Sequence, residues 1–250
     1  MDKTDKDWEE LSRRNAYFAV LTDPAYAAPE LDAATEHQFF ATGQEHIGRV
    51  AGVLREKFGF DDRIIRTAVD FGSGVGRLLF PMSKLARFGI GIDVAETMRE
   101  LSRKQAAARG ITNVSMVPTA DHILNVAEDV DWINSYIVFQ HISPDRGYEI
   151  FDKLVYILKP GGFMSMHFTV FKDERAIHYM TNRTKYFSNR PAGVASLLLQ
   201  PEHEGEPQMQ MYDYDLNQLL AILVKHGVGH IWLEHEDQGG LHGVHIFARK

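Results

Sequence analysis

The chain has 250 residues, enough to bury one substantial core, and its 27 Lys and Arg against 34 Asp and Glu give a net charge of −7. No global positive field would gather polyanions, which argues against a nucleic-acid substrate, and the absence of cysteine excludes a disulfide framework and thiolate metal sites. No apolar run of about 20 residues is present to cross a bilayer, and the charged start from Met1 to Asp7 carries no signal-peptide pattern, so a cytoplasmic location is expected.

Residues 1–42 are helix-prone but irregular, with Trp8, Tyr17, Phe18, Tyr26, Phe39 and Phe40 scattered among charges, and read as an N-terminal helical cap. From Gly43 to Phe58 the positions Ile47, Val50, Ala51, Leu54 and Phe58 recur at helical spacing, with Gly59 where a C-cap glycine belongs. Thr67 to Phe71 is a short apolar strand, followed by the glycine turn Gly72-Ser73-Gly74-Val75-Gly76. A helix is expected from Val75 to Phe88, then a second strand from Ile90 to Val94. Glu96 to Arg109 reads as a helix closed by Gly110. Asn113 to Pro118 and Asp131 to Phe139 read as the third and fourth strands. Ser143-Pro144 places an N-cap before a proline at the first helical position, and Phe163 to Val170 is the fifth strand.

Strands alternating with helices imply a parallel sheet covered on both faces, with ligands bound outside the carboxyl ends of the strands. After a helix near Asp215 to His226, the strands near His230 to Glu234 and Val244 to Ala248 are too close for another crossover. They predict an antiparallel hairpin.

These features resemble the class I S-adenosylmethionine-dependent methyltransferases over roughly residues 43–250. The resemblance is carried by Asp70-Phe-Gly-Ser-Gly-Val-Gly76, by Asp93 ending the second strand, and by Ala120-Asp121 after the third. Asn134 to His141 through the fourth strand and Leu158-Lys-Pro-Gly-Gly162 before the fifth complete it. It implies a Rossmann-like, seven-stranded, mostly parallel α/β sheet with helices on both faces and an antiparallel last strand. It implies S-adenosylmethionine as cofactor, S-adenosylhomocysteine as product, and a Ser135 to Gln140 segment lining the methionyl part. Thr42 and Gly43 fall where many relatives close over that end, and Tyr17 and Phe18 are candidates for a lid.

The residue types suit that ligand. Gly72, Gly74 and Gly76 let the backbone turn around Ser73 and approach a ligand without a Cβ. Asp70 can either serve the ammonium of a bound amino acid or order the loop, and Asp93 can accept both ribose hydroxyls. Asp121 can accept the adenine amino group while the His122 amide meets a ring nitrogen, or it can cap a short helix. Val94, Met98 and Ala120 would wall the purine.

The sulfonium makes the methyl group electrophilic, so the protein must hold a nucleophile in line and exclude water. A hydroxyl nucleophile also needs a base, which favours histidine. His141 after the fourth strand, His167 late in the fifth and His242 in the loop opening the last hairpin are the candidates. The twelve histidines lack a metal-ligand spacing, so no metal is expected. Residues 171–209 are longer than a connection requires and read as a substrate-side insertion, whose Lys172 to Arg190 stretch carries a charge of +3. That charge suits an anionic small-molecule or glycan-type acceptor, a solvated face or a homodimer contact alike. The activity expected is methyl transfer to oxygen, less readily to nitrogen. The alternatives are a cofactor-binding regulatory protein without catalysis and an NAD-dependent oxidoreductase, which would place its glycine turn nearer the N-terminus.

Overall fold

The computed structural model describes residues 3–28, 30–118, 129–173, 175–176, 184–189, 194–199, 207 and 209–250, with the backbone alone for 184–189 and 194–199. Its main sheet has seven strands in the order β3-β2-β1-β4-β5-β10-β9. These are β1 (Thr67–Phe71), β2 (Phe88–Asp93), β3 (Val114–Pro118), β4 (Val130–Ser135), β5 (Leu158–Lys172), β9 (His230–Asp237) and β10 (Leu241–Arg249). The first five are mutually parallel, and β10 lies antiparallel between β5 and β9, as the short connection through Gly239 and Gly240 requires. Strands β6 (Thr184–Asn189), β7 (Val194–Leu199) and β8 (Gln210–Tyr212) form a separate antiparallel sheet within and just beyond the expected insertion.

One face of the main sheet packs on helix α2 (Ala33–Phe58), whose Ile47, Val50 and Leu54 meet Trp132, Phe163 and Phe247. The other packs on α5 (Pro144–Ile157) and α6 (Leu216–Lys225) through Phe151, Leu154, Leu219 and Leu223. Gly59 ends α2 in the left-handed conformation at φ 71°, as its position predicts. Helix α2 begins ten residues earlier than the periodicity suggests, because the Asp32 carboxylate accepts from the Thr35 amide at 2.7 Å and caps it.

The expected helix over 75–88 is reduced to α3 (Leu79–Ser83). Gly76 sits at φ 92° with the Phe80 ring where a Cβ would be, so the chain is still turning where the helix was expected to start. At the other end the Asn113 amide donates to the Ser83, Ala86 and Arg87 carbonyls, which a continuing helix would have used itself. Helix α4 (Glu96–Ala108) follows β2 as read.

The N-terminal residues form α1 (Lys3–Val20), broken at Asn15, whose φ of −163° and ψ of 95° are extended. Its side chain replaces the missing helical bonds: Nδ2 donates to the Tyr26, Ala27 and Ala28 carbonyls, and Oδ1 accepts from the Phe18 amide. The break lets residues before Asn15 cross the carboxyl ends of the strands while those after it pack on Phe39 and Met98.

Candidate active site

A pocket opens at the carboxyl ends of β1, β2 and β4, where the strand order reverses between β1 and β4. Gly72, Ser73 and Gly74 form one wall, Asp93, Val94 and Met98 a second, and Tyr136, Ile137, Val138 and His141 a third. Gly72 is at φ 74°, and an added Cβ would lie 2.4 Å from the Val138 side chain, so glycine is required twice over. Helix α1 supplies the roof through Thr4, Asp5, Trp8, Ala19 and Val20. It is fastened by Arg146 donating to both Asp5 oxygens at 2.6 and 3.3 Å, and by Trp8 packed edge-on against His141 at 4.9 Å.

Asp93 ends β2 with Oδ2 accepting from the Gly74 amide at 2.8 Å and Oδ1 from the Ala95 amide at 2.9 Å. Burial pushes its carboxyl up and the two amides pull it back. Each oxygen retains a lone pair for a diol. Asp70 is buried at the end of β1, held by a chain that runs through the sheet. The Trp132 indole donates to Ser165 Oγ, Ser165 to Asn134 Oδ1, and Asn134 Nδ2 to Asp70 Oδ1, at 3.1, 2.7 and 2.9 Å. Asp70 Oδ2 has no partner, and burial lifts the carboxyl to about 7.

Across the pocket lies Arg77, equally buried, with its Nε unpartnered and its Nη1 only 3.4 Å from Thr42 Oγ1. Arg77 and Asp70 attract one another without joining at these atoms, which leaves a buried cation and a buried carboxylate able to take the two ends of an amino-acid zwitterion. Arg77 escaped the sequence reading. Its signal is its place directly after Gly76, a cation at the end of the glycine turn.

Other expected residues are placed differently. Ser135 donates to the Phe71 carbonyl and Gln140 accepts from Thr169, so both turn away from the pocket while Tyr136, Ile137 and Val138 face it. Gly76 contacts Phe80, and Gly43 gives way to the Arg77 carbonyl 2.0 Å from its would-be Cβ; neither lines the pocket. Thr42 donates to the Phe39 carbonyl at 2.7 Å and accepts from Arg77, outside the pocket lining, and Tyr17 bonds Glu36 and Gln105 instead of acting as a lid. Ala120, Asp121 and His122 lie outside the described residues.

Of the histidines, His141 lines the pocket. Its Nδ1–H donates to the Gln210 carbonyl at 2.8 Å, which leaves the Nε2 lone pair facing Gln140 Nε2 at 3.2 Å. Burial lowers it to about 4, so it is uncharged at neutral pH. His167 stands one layer behind Tyr136, with ring centroids 5.1 Å apart. His242 lies inside β10, not in the loop. It is taken up by Asp173 at 2.9 Å and His235 at 2.9 Å, away from the pocket, because the hairpin is longer than its alternation suggests. Two cations of the basic insertion are likewise occupied, Lys172 by Asp213 and Arg175 by Asp173 and Asp237. Lys172 and Arg175 therefore offer little to an anionic acceptor, and Arg183 and Arg190 lie outside the described residues. Among the described residues no group of side chains could hold a metal, and no helix is long and apolar enough to cross a membrane.

Comparison with known proteins agrees with this geometry. Residues 68–162 match a family described as a methyltransferase domain. Ubiquinone biosynthesis O-methyltransferases from Chelativorans sp. (strain BNC1) and Mesorhizobium japonicum are 30% and 29% identical over 113 and 117 residues, 43% and 44% of this chain. The matches cover 44% and 46% of those proteins, so the chain spans less than half the length of these curated relatives. The fold is similar to that of a Synechocystis PCC 6803 magnesium protoporphyrin IX methyltransferase with bound S-adenosylhomocysteine, at TM-score 0.61, 14% identity, and coverage of 96% of this chain and 97% of that one. It is also similar to CalS10, an amino pentose methyltransferase from Micromonospora echinaspora, at TM-score 0.57 and 12% identity, covering 88% of this chain and 98% of the other.

Proposed function

We propose, for a chain whose residues 68–162 belong to the methyltransferase domain family and whose sheet is that of the class I S-adenosylmethionine-dependent enzymes, that it transfers a methyl group from S-adenosylmethionine to an oxygen of a small-molecule acceptor. The observation that carries the reading is the pocket at the β1–β4 reversal, with a glycine wall, a diol-accepting Asp93, and Asp70 facing Arg77. The cofactor supplies the electrophilic methyl group. Asp93 holds the ribose, Val94 and Met98 pack on the purine, and Asp70 and Arg77 take the ammonium and carboxylate of the amino-acid end. Trp8 and Val20 of the roof keep water out, which an in-line displacement on carbon needs.

His141 is the group placed to receive the acceptor's proton. The Gln210 carbonyl fixes its tautomer, so the basic lone pair is on Nε2, which accepts from the Gln140 amide at 3.2 Å and becomes free for an acceptor hydroxyl when that amide turns aside. Its low basicity suits an acceptor hydroxyl that is itself acidic, as a phenol is. The ubiquinone-pathway name of the partial relatives points the same way.

Thermal unfolding and calorimetry with S-adenosylmethionine, S-adenosylhomocysteine and NAD test the assignment. The first two should stabilise the protein, by roughly 2.7 kcal/mol at a hundred times their Kd. Stabilisation by NAD alone overturns it.

A further inference from the structure

Behind Tyr136, on the α2 side of the sheet, lies a polar cluster that cofactor binding does not use. His46 comes from α2, and His167 and His245 are directly paired across β5 and β10. Glu236 comes from β9. Its carboxylate accepts from the Tyr136 hydroxyl at 2.9 Å and from Arg49 at 3.0 Å, and Arg49 also bonds Glu234 at 2.6 Å.

Four ring nitrogens in this cluster are buried without a partner: both of His167, Nε2 of His245 and Nε2 of His46. His167 and His245 are 2% and 0% exposed. A buried polar atom left unpaired is costly, so four together are not explained as packing. Tyr136 separates them from the cofactor pocket, with its ring 3.9 Å from His46 and 5.1 Å from His167, and it lines the pocket itself. The residue after it, Ile137, also lines the pocket and is a β-branched residue at φ 59°, a strained conformation.

The electrical character of the cluster selects the ligand. Burial keeps the imidazoles uncharged at neutral pH. Burial also acts against the Glu236 carboxylate, but its hydrogen bonds and neighbouring rings outweigh that and hold it ionised. One cation, Arg49, faces two carboxylates, Glu234 and Glu236, while Arg77 nearby is offset by Asp70. The balance repels an anion. A neutral imidazole presents one N–H and one lone pair, which is the complement of a hydroxyl, itself donor and acceptor.

We infer that the cluster of His46, Tyr136, His167, His245 and Glu236, which meets the cofactor pocket at Tyr136, is the acceptor-recognition subsite, and that it takes an uncharged hydroxyl group and rejects carboxylate and phosphate. The inference rests on the methyl-transfer reading and names its substrate class.

The test uses the full chain saturated with S-adenosylhomocysteine, with catechol, methyl glucoside, benzoate and inorganic phosphate as probes. Long-range nitrogen NMR of the histidine rings is the readout. Catechol or methyl glucoside should displace the His167 and His245 ring signals, the first marking a phenolic acceptor and the second a sugar, while benzoate and phosphate leave them in place. Displacement by either anion, or by neither hydroxyl probe, overturns the inference. His167→Leu should abolish the response at His245 while the Kd for S-adenosylhomocysteine stays unchanged; a response that survives in this variant also overturns it. Failure of the wild-type protein to bind S-adenosylhomocysteine would instead remove the methyl-transfer reading, and the inference with it.

Discussion

Asp70 makes cofactor affinity depend on pH in a way that can be worked out in advance. In the empty pocket burial lifts its carboxyl to about 7, against the Asn134 hydrogen bond and the Arg77 charge. An incoming ammonium needs the carboxylate, so a proton must leave Asp70 when S-adenosylhomocysteine binds, and affinity should fall as pH falls through about 7. At about pH 6 roughly one molecule in ten is ionised at this position, and at about pH 8 roughly nine in ten. The apparent Kd should therefore weaken about tenfold between them, ~1.4 kcal/mol. Asp93 is also shifted upward, but in the proposed site it would meet the ribose and so act equally on any adenosyl ligand. Calorimetric titration with S-adenosylhomocysteine and with 5′-methylthioadenosine, which lacks the amino-acid end, separates the two. Only the former should show the tenfold loss, and Asp70→Asn should flatten it. Equal pH dependence for both ligands, or dependence that persists in Asp70→Asn, would refute the zwitterion clamp.

Two further outcomes follow from the geometry. His46, His141 and His167 are held at about 3, 4 and 4, so on unfolding below pH 6.5 each takes up a proton that the native state refuses, whereas Asp70 releases one. Stability of the unliganded protein should then fall by roughly 2–3 kcal/mol per pH unit between about pH 6 and 5, read by urea unfolding; a flat profile there would contradict the burial of these rings. Gly72→Ala should cost about 1–3 kcal/mol in the same assay and weaken S-adenosylhomocysteine binding, since φ 74° and the 2.4 Å approach to Val138 both oppose a Cβ. Unchanged binding would place the ligand elsewhere than on the glycine wall.

The sheet was legible because its signals are local. Apolar strands ending in Asp70 and Asp93, glycines at the turns, and a connection after Asp237 too short for a crossover each determine their neighbours directly. What escaped is set by contacts distant in sequence. Helix α3 is cut short by Asn113, some thirty positions away from Ser83. The inward turn of Ser135 and Gln140 depends on Phe71 and Thr169. The roof was expected from Tyr17 and Phe18, but the Asn15 break swings Thr4, Asp5 and Trp8 over the pocket instead, and no period-based reading sees a break bridged by the carbonyls of residues 26–28.

The three tryptophans occupy three unlike surroundings. Trp132 is sealed in the sheet at 0% exposure, Trp232 stands on the outer edge strand at 41%, and Trp8 hangs from the roof against His141. Trp132 is joined to Asp70 through Ser165 and Asn134, so replacing it with phenylalanine leaves Trp8 as the tryptophan that reports a filling pocket. The molecule thus carries its own optical probe of whether the first helix is seated.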